Sequence, residues 1–261
     1  MRKQFFLFIS LLFFIQISIQ AQTDPVVEKI IEIGTTDNQS MQHLDVLCNR
    51  FGGRLIGSDA YENAAEWAAY KFREWGMEVE FDEAGEIPVG FNRGPWFGRM
   101  LGEDGMNLHF ATPSFTSGTK GVQRGEVLIE PKTQAEFDRM KGALKGKWVL
   151  ISGENKGYPI DISEKADVIR DSIKAENAKI EEKNNEIRRE NWRARGTDQA
   201  KKDLLPLNEE PALFYKEMRE AGILGIIQSS KTPIQAMYDR KNTMDMTWET
   251  LPTVPDIKLD A

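Results

Sequence analysis

Arg50-Phe51-Gly52-Gly53-Arg54-Leu55-Ile56-Gly57-Ser58-Asp59 is the stretch that decides how this chain is read. Gly52-Gly53 closes one amphipathic segment and Asp59 opens another. The first starts at Ser40 and sets Met41, Leu44, Leu47, Cys48 and Phe51 on one helical face. In the second, Asp59 and Glu62 stand at capping-box spacing, and Ala65, Ala68, Phe72 and Trp75 recur at helical intervals until Gly76. Between them the glycines permit a tight backbone turn, and Ser58 or Asp59 is placed to cap the following helix. Met77, Val79 and Phe81 then alternate along Met77–Asp82, which predicts a strand. Upstream, Asp24 stands as a cap before Pro25, and Val26, Val27, Ile30 and Ile31 form an apolar stripe ending near Gly34. Helices followed by a strand read as a helix packed against the start of a sheet.

The amino terminus has a different purpose. Arg2 and Lys3 precede an almost wholly apolar run from Phe5 to Ile15, then a more polar Gln16–Gln20 and the small residue Ala21. That is the layout of a secretory signal peptide over 1–21, with an apolar stretch too short to span a bilayer comfortably. The mature chain is therefore expected in the periplasm or the extracellular space, off the membrane. Taking Arg2 and Lys3 from the 34 basic residues leaves 32 against 41 acidic ones, a formal charge of −9. Such a surface repels phosphate backbones, which argues against a nucleic-acid partner. Cys48 is the single cysteine, so an intrachain disulfide, a cysteine zinc site and an iron–sulfur cluster are all excluded. On a helical apolar face it is expected to serve as a small buried hydrophobe. The oligomeric state stays open.

From about Gly85 to Leu251 short apolar runs alternate with glycine and proline. Glu126–Glu130, Lys147–Ser152 and Gly222–Ser229 predict strands of a separate small domain. A charged segment runs from Ser163 to about Arg195, with Ile173, Ile180 and Ile187 at seven-residue intervals. One apolar position per heptad makes a thin seam, which predicts a long surface helix; a coiled-coil partner is the competing reading. Thr253–Leu259 predicts a further strand, and Asp260 is a residue type that caps a helix.

Taken with Tyr61, Ala64-Ala65 and Trp75-Gly76-Met77, the Arg54-Leu55-x-Gly57-Ser58 turn resembles the opening of secreted zinc aminopeptidases. These form metallopeptidase family M-twenty-eight, with glutamate carboxypeptidase and transferrin-receptor ectodomains among its relatives. Leu144-Lys145-Gly146-Lys147-Trp148-Val149-Leu150-Ile151 and Tyr215–Ser229, with Ala221-Gly222, are similar to a protease-associated domain, and Ala111-Thr112-Pro113-Ser114 with Ser117-Gly118-Thr119 to its lead-in. The resemblance implies an α/β peptidase domain beginning at 22–117 (helices, then the first strand). It implies an inserted mainly-β or α+β protease-associated domain at 118–251, with a helical insertion at about 163–203. Residues 252–261 would return towards a catalytic region. It also implies two zinc ions and peptide substrates in the complete enzyme.

A dizinc centre needs several imidazoles and carboxylates around the metals, and a further Glu as base. In the family those ligands follow the protease-associated domain, so none is carried onto this chain. No catalytic, cofactor-binding or metal residue is assigned, and the chain alone is expected to be inactive. The alternative is a non-catalytic exported binding protein that keeps the protease-associated domain. His43 and His109 are the only histidines. His43-Leu44-Asp45 spells His-x-Asp, but residues two apart on a helix point to different faces. His109 has no acid nearby in sequence, and both histidines read as structural. Ser58 has no neighbouring histidine to activate it, and Gly142 and Gly146 precede Lys147-Trp148 rather than the Lys-Ser/Thr of a phosphate loop.

Overall fold

The computed structural model describes residues 24–155, 157–196, 201–230 and 246–260, with backbone alone at 153–155 and 230. The signal-peptide reading of 1–21 lies outside these residues. The chain divides into two compact units. One takes the chain up to Arg54 together with Ala60–Val79; the other takes Leu55–Asp59 and everything from Glu80.

The first unit is helical. Helix α1 spans Pro25–Thr36; Asp24 accepts a hydrogen bond from the Val26 N–H and Pro25 holds the first turn, as the sequence predicts. None of its residues is buried. Helix α2, Ser40–Asp45, runs into a wider π-turn at Val46–Arg50. Helix α3, Asp59–Glu74, ends where the Gly76 N–H reaches the Arg73 carbonyl and the Met77 N–H the Phe72 carbonyl. Gly76 has φ +81°, so this is a Schellman ending that favours glycine. The apolar face expected on α2 is not a core face: Met41 and Leu44 are exposed, and Leu47 and Phe51 only half-buried. Cys48 is exposed too, contrary to the expectation of burial. The extra residue of the π-turn breaks the 3.6-residue phase on which that expectation rested. On α3 the buried positions are Ala64 and Ala69, with Phe72 and Trp75 left exposed.

The second unit is built on a sheet. Strands β1 (Arg99–Met100) and β2 (Met106–Asn107) form a short hairpin. Strands β3 (Phe110–Ala111), β4 (Val127–Ile129), β5 (Trp148–Asn155), β6 (Gly225–Ser230) and β7 (Asp256–Leu259) form one sheet in the order β3-β7-β6-β5-β4. All neighbours are parallel except β3, which pairs antiparallel with β7. Helix α4 (Gln134–Met140), a long α5 (Glu164–Arg193) and a short α6 (Tyr215–Glu220) lie between these strands. The fold is therefore α/β. The alternation at Met77–Asp82 finds no pairing partner among the described residues and is not a strand; without a neighbour to take its N–H and C=O groups, alternation alone cannot make one. β7 and β3 lie on either side of the 118–251 segment in sequence yet share its sheet.

The core of this unit gathers Phe137, Leu144, Val149, Ile151, Leu213, Phe214, Met218 and Ile226. Phe137 stacks on Phe214 with ring centroids 5.2 Å apart. No helix among the described residues is long and apolar enough to cross a membrane.

Candidate functional site

The glycine turn is built as its sequence demands. Gly57 sits at φ +74°, and a Cβ there would come within 2.4 Å of Ile87 Cδ1. A Cβ on Gly90 would come within 2.3 Å of the Gly57 carbonyl oxygen, so two backbone segments touch where only glycine fits. Ser58 is buried and its hydroxyl donates to the Leu55 carbonyl at 2.6 Å. The first amide of α3, on Asp59, donates to Asn92 Oδ1 at 2.9 Å. A cap from 33 residues downstream is a contact that local sequence could not show.

The two histidines go to different places. His43 is half-buried, its ring 5.7 Å from that of Trp67 and 5.5 Å from that of Trp75, while Asp45 accepts from Asn49 at 2.6 Å. It packs with aromatic rings. His109 is exposed at 72% of its side chain, and its Nδ1 lies 2.9 Å from Asp260 Oδ2. The Asp260 amide returns a bond to the His109 carbonyl at 3.0 Å. The acid missing near His109 in sequence is thus supplied from the far end of β7. His109 lines an open cleft with Trp96, Phe97 and Arg99, in which the Trp96 indole donates to the Phe110 carbonyl at 2.9 Å. One imidazole and one carboxylate fall short of the donor set a zinc ion takes. Among the described residues no three His, Cys, Asp or Glu side chains come together as metal ligands. The described residues do not fit a zinc pair.

Four polar constellations inside the second unit were not singled out from sequence. Glu130 is fully buried and accepts from Lys132 Nζ at 2.8 Å, the Ser152 amide at 3.0 Å and hydroxyl at 3.2 Å, and the Ala212 amide at 2.8 Å. It ties β4, β5 and the approach to α6 together, so its charge is consumed by structure. On the core side of the sheet, Gln228 donates to Asp256 Oδ1 at 2.6 Å, and the buried Lys258 reaches Gln228 and the Tyr158 carbonyl. Lys174, on α5, meets Asp171 at 2.7 Å and also pairs with Glu217 of α6. Burial pulls the Lys174 pKa down, but the two carboxylates outweigh it and the net shift is upward.

The fourth constellation is periodic. Asn177, Asn184 and Asn191 stand seven residues apart on α5, four residues after Ile173, Ile180 and Ile187. Their amides bond the backbone of residues 202–208. Asn177 joins Asn208 at 2.9 and 2.8 Å, Asn184 joins Leu205 at 2.9 and 2.7 Å, and Asn191 joins Lys202 at 2.8 and 2.9 Å. In each pair the Asn Nδ2 donates to the carbonyl and its Oδ1 accepts from the amide. Asn177 and Asn184 are buried. The face beside the isoleucine seam is thus occupied by the chain itself. A heptad of asparagines was visible in the sequence beside the isoleucines; what it held was not.

Comparison with family models matches none, and comparison with curated proteins likewise. Among solved structures, a zinc aminopeptidase from Bacillus subtilis is similar at 13% identity and a TM-score of 0.37, over 83% of this chain and 38% of that one. The chain thus spans well under half the length of that structure.

Proposed function

We propose that this chain belongs to an exported, zinc-dependent aminopeptidase that hydrolyses peptides with metal-activated water, and that the zinc ligands come from outside the described residues. The observation that supports this best is the Arg54–Ser58 turn. Its Arg-Leu-x-Gly-Ser pattern resembles the peptidase family, and the contact between Gly57 and Gly90 gives each glycine a steric reason to be there. No step of hydrolysis is assigned to a described side chain, and the chain by itself is expected to be inactive. The test has two arms. The chain and a version extended along its reading frame are purified, and zinc content and cleavage of aminoacyl-nitroanilides are measured for each. Zinc and turnover only in the extended protein support the proposal; neither in both ends it, and two tightly bound zinc ions with turnover in the chain alone overturn the assignment of the ligands.

The second reading is a non-catalytic exported binding protein. It expects the reading frame to stop after the Ala261 codon and a well-folded product whose melting is unchanged by zinc or by chelators.

A further inference from the structure

Helix α5 and the segment that returns along it have matched repeats. Seven helical residues advance roughly 10.5 Å. Three residues of the returning segment cover the same distance between successive asparagines, about 3.5 Å each, which is nearly full extension. The match lets the antiparallel pairs Asn177–Asn208, Asn184–Leu205 and Asn191–Lys202 stay in step without strain. All six bonds fall on backbone atoms of the segment, so they impose no side-chain identity on it. Of its leucines, Leu204 and Leu205 are exposed at 45% and 42%, and Leu207 is half-buried. Side-chain choice enters at the two ends. Lys202 Nζ meets Glu190 at 2.7 Å, and Asn208 Nδ2 meets Glu176 at 2.9 Å.

We propose that the Asn177–Asn184–Asn191 face of α5 is a track for the backbone of an extended peptide, filled in this chain by its own residues 202–208. The occupant it fits is a segment of about seven extended residues with free N–H groups at the first, fourth and seventh positions and a cation at the first. A helical partner does not fit this face, because a helix has already spent its N–H and C=O groups internally. The track reads a peptide as a strand is read at a sheet edge, with side-chain amides in place of a neighbouring backbone.

The experiment lifts the resident segment and leaves the track whole. Leu205→Pro with Asn208→Pro removes two of the three N–H donors and changes nothing on α5. A fluorescein-labelled peptide with the sequence of residues 201–209 is titrated against the full chain by fluorescence anisotropy. Saturable binding is expected to the double variant, at least about tenfold weaker to the unaltered chain, where the tethered segment competes, and at least about tenfold weaker again when Asn184→Ala is added. A double variant with normal helical circular dichroism that binds no peptide overturns the proposal, as does binding indifferent to Asn184→Ala. Should the double variant lose its helical signal, amide exchange of the unaltered chain decides. Protection concentrated at Lys202, Leu205 and Asn208, and weakened by millimolar unlabelled peptide, upholds the track; exchange indifferent to the peptide refutes it.

Discussion

Helices α1 and α5 both carry an apolar stripe, and they meet opposite fates. On α1, Val26 and Ile30 are exposed at 64% and 63%, and no residue is buried. On α5, Ala166 and Arg170 are buried, Ile173 packs on the sheet's core and the asparagine face is covered by residues 202–208. The difference does not lie in the stripes, because α1 is the more apolar helix. It lies in what accompanies them: α5 has buried polar side chains that hold the rest of the chain against it. A periodic apolar stripe shows which face of a helix seeks cover. It does not show whether this chain supplies that cover.

The comparison is most sharply tested in the sheet unit. Phe214→Ala removes a fully buried ring stacked on Phe137 and is expected to cost about 4 kcal/mol in denaturant unfolding. A loss below about 1 kcal/mol would mean that the core contributes no more than the exposed helices. Glu130→Ala strands the Ser152 and Ala212 amides and the Lys132 cation, for a loss of roughly 3 kcal/mol. Gly57→Ala forces a left-handed residue and pushes Ile87 aside, and should cost roughly 1–2 kcal/mol by thermal melting.

A smaller effect depends on pH. The folded-state pKa of Lys174 is raised, so its stabilising contribution is present at neutral pH and is lost as pH climbs past the ordinary lysine value of 10.5. The difference in denaturation midpoint between the unaltered chain and Lys174→Met should hold steady from neutral pH to about pH 9 and narrow above 10.5. The smallest change belongs to α1: Ile30→Ser should alter stability by no more than about 0.5 kcal/mol. A large loss there would show that α1 is covered in solution.

Legibility followed sequence distance. The Asp24–Pro25 start of α1, the Gly76 ending of α3, the strands at 127–129, 148–155 and 225–230 and the long charged helix were readable because caps, turns and periodicity act over a few residues. The reading of Met77–Asp82 as a strand failed because alternation says nothing about a pairing partner. The burial expected of Cys48 failed because a π-turn broke the helical phase. Of the candidate residues, His43 packs against Trp67 and Trp75, partners no local pattern named, and the acid beside His109 lay 151 residues away.

By itself the sequence determined the starts of α1 and α5, the ending of α3, the strands β4, β5, β6 and β7, the acidic balance, and the lack of any cysteine chemistry beyond one thiol. Those follow from local sterics, hydrogen-bond geometry and composition. Only the tertiary structure decided that β3 joins β7, that Glu130 holds Ala212 from 82 residues away, and that residues 202–208 lie along the asparagines of α5. Each of these unites groups far apart in sequence, and is fixed by which buried donors and acceptors must be satisfied once the chain has closed on itself.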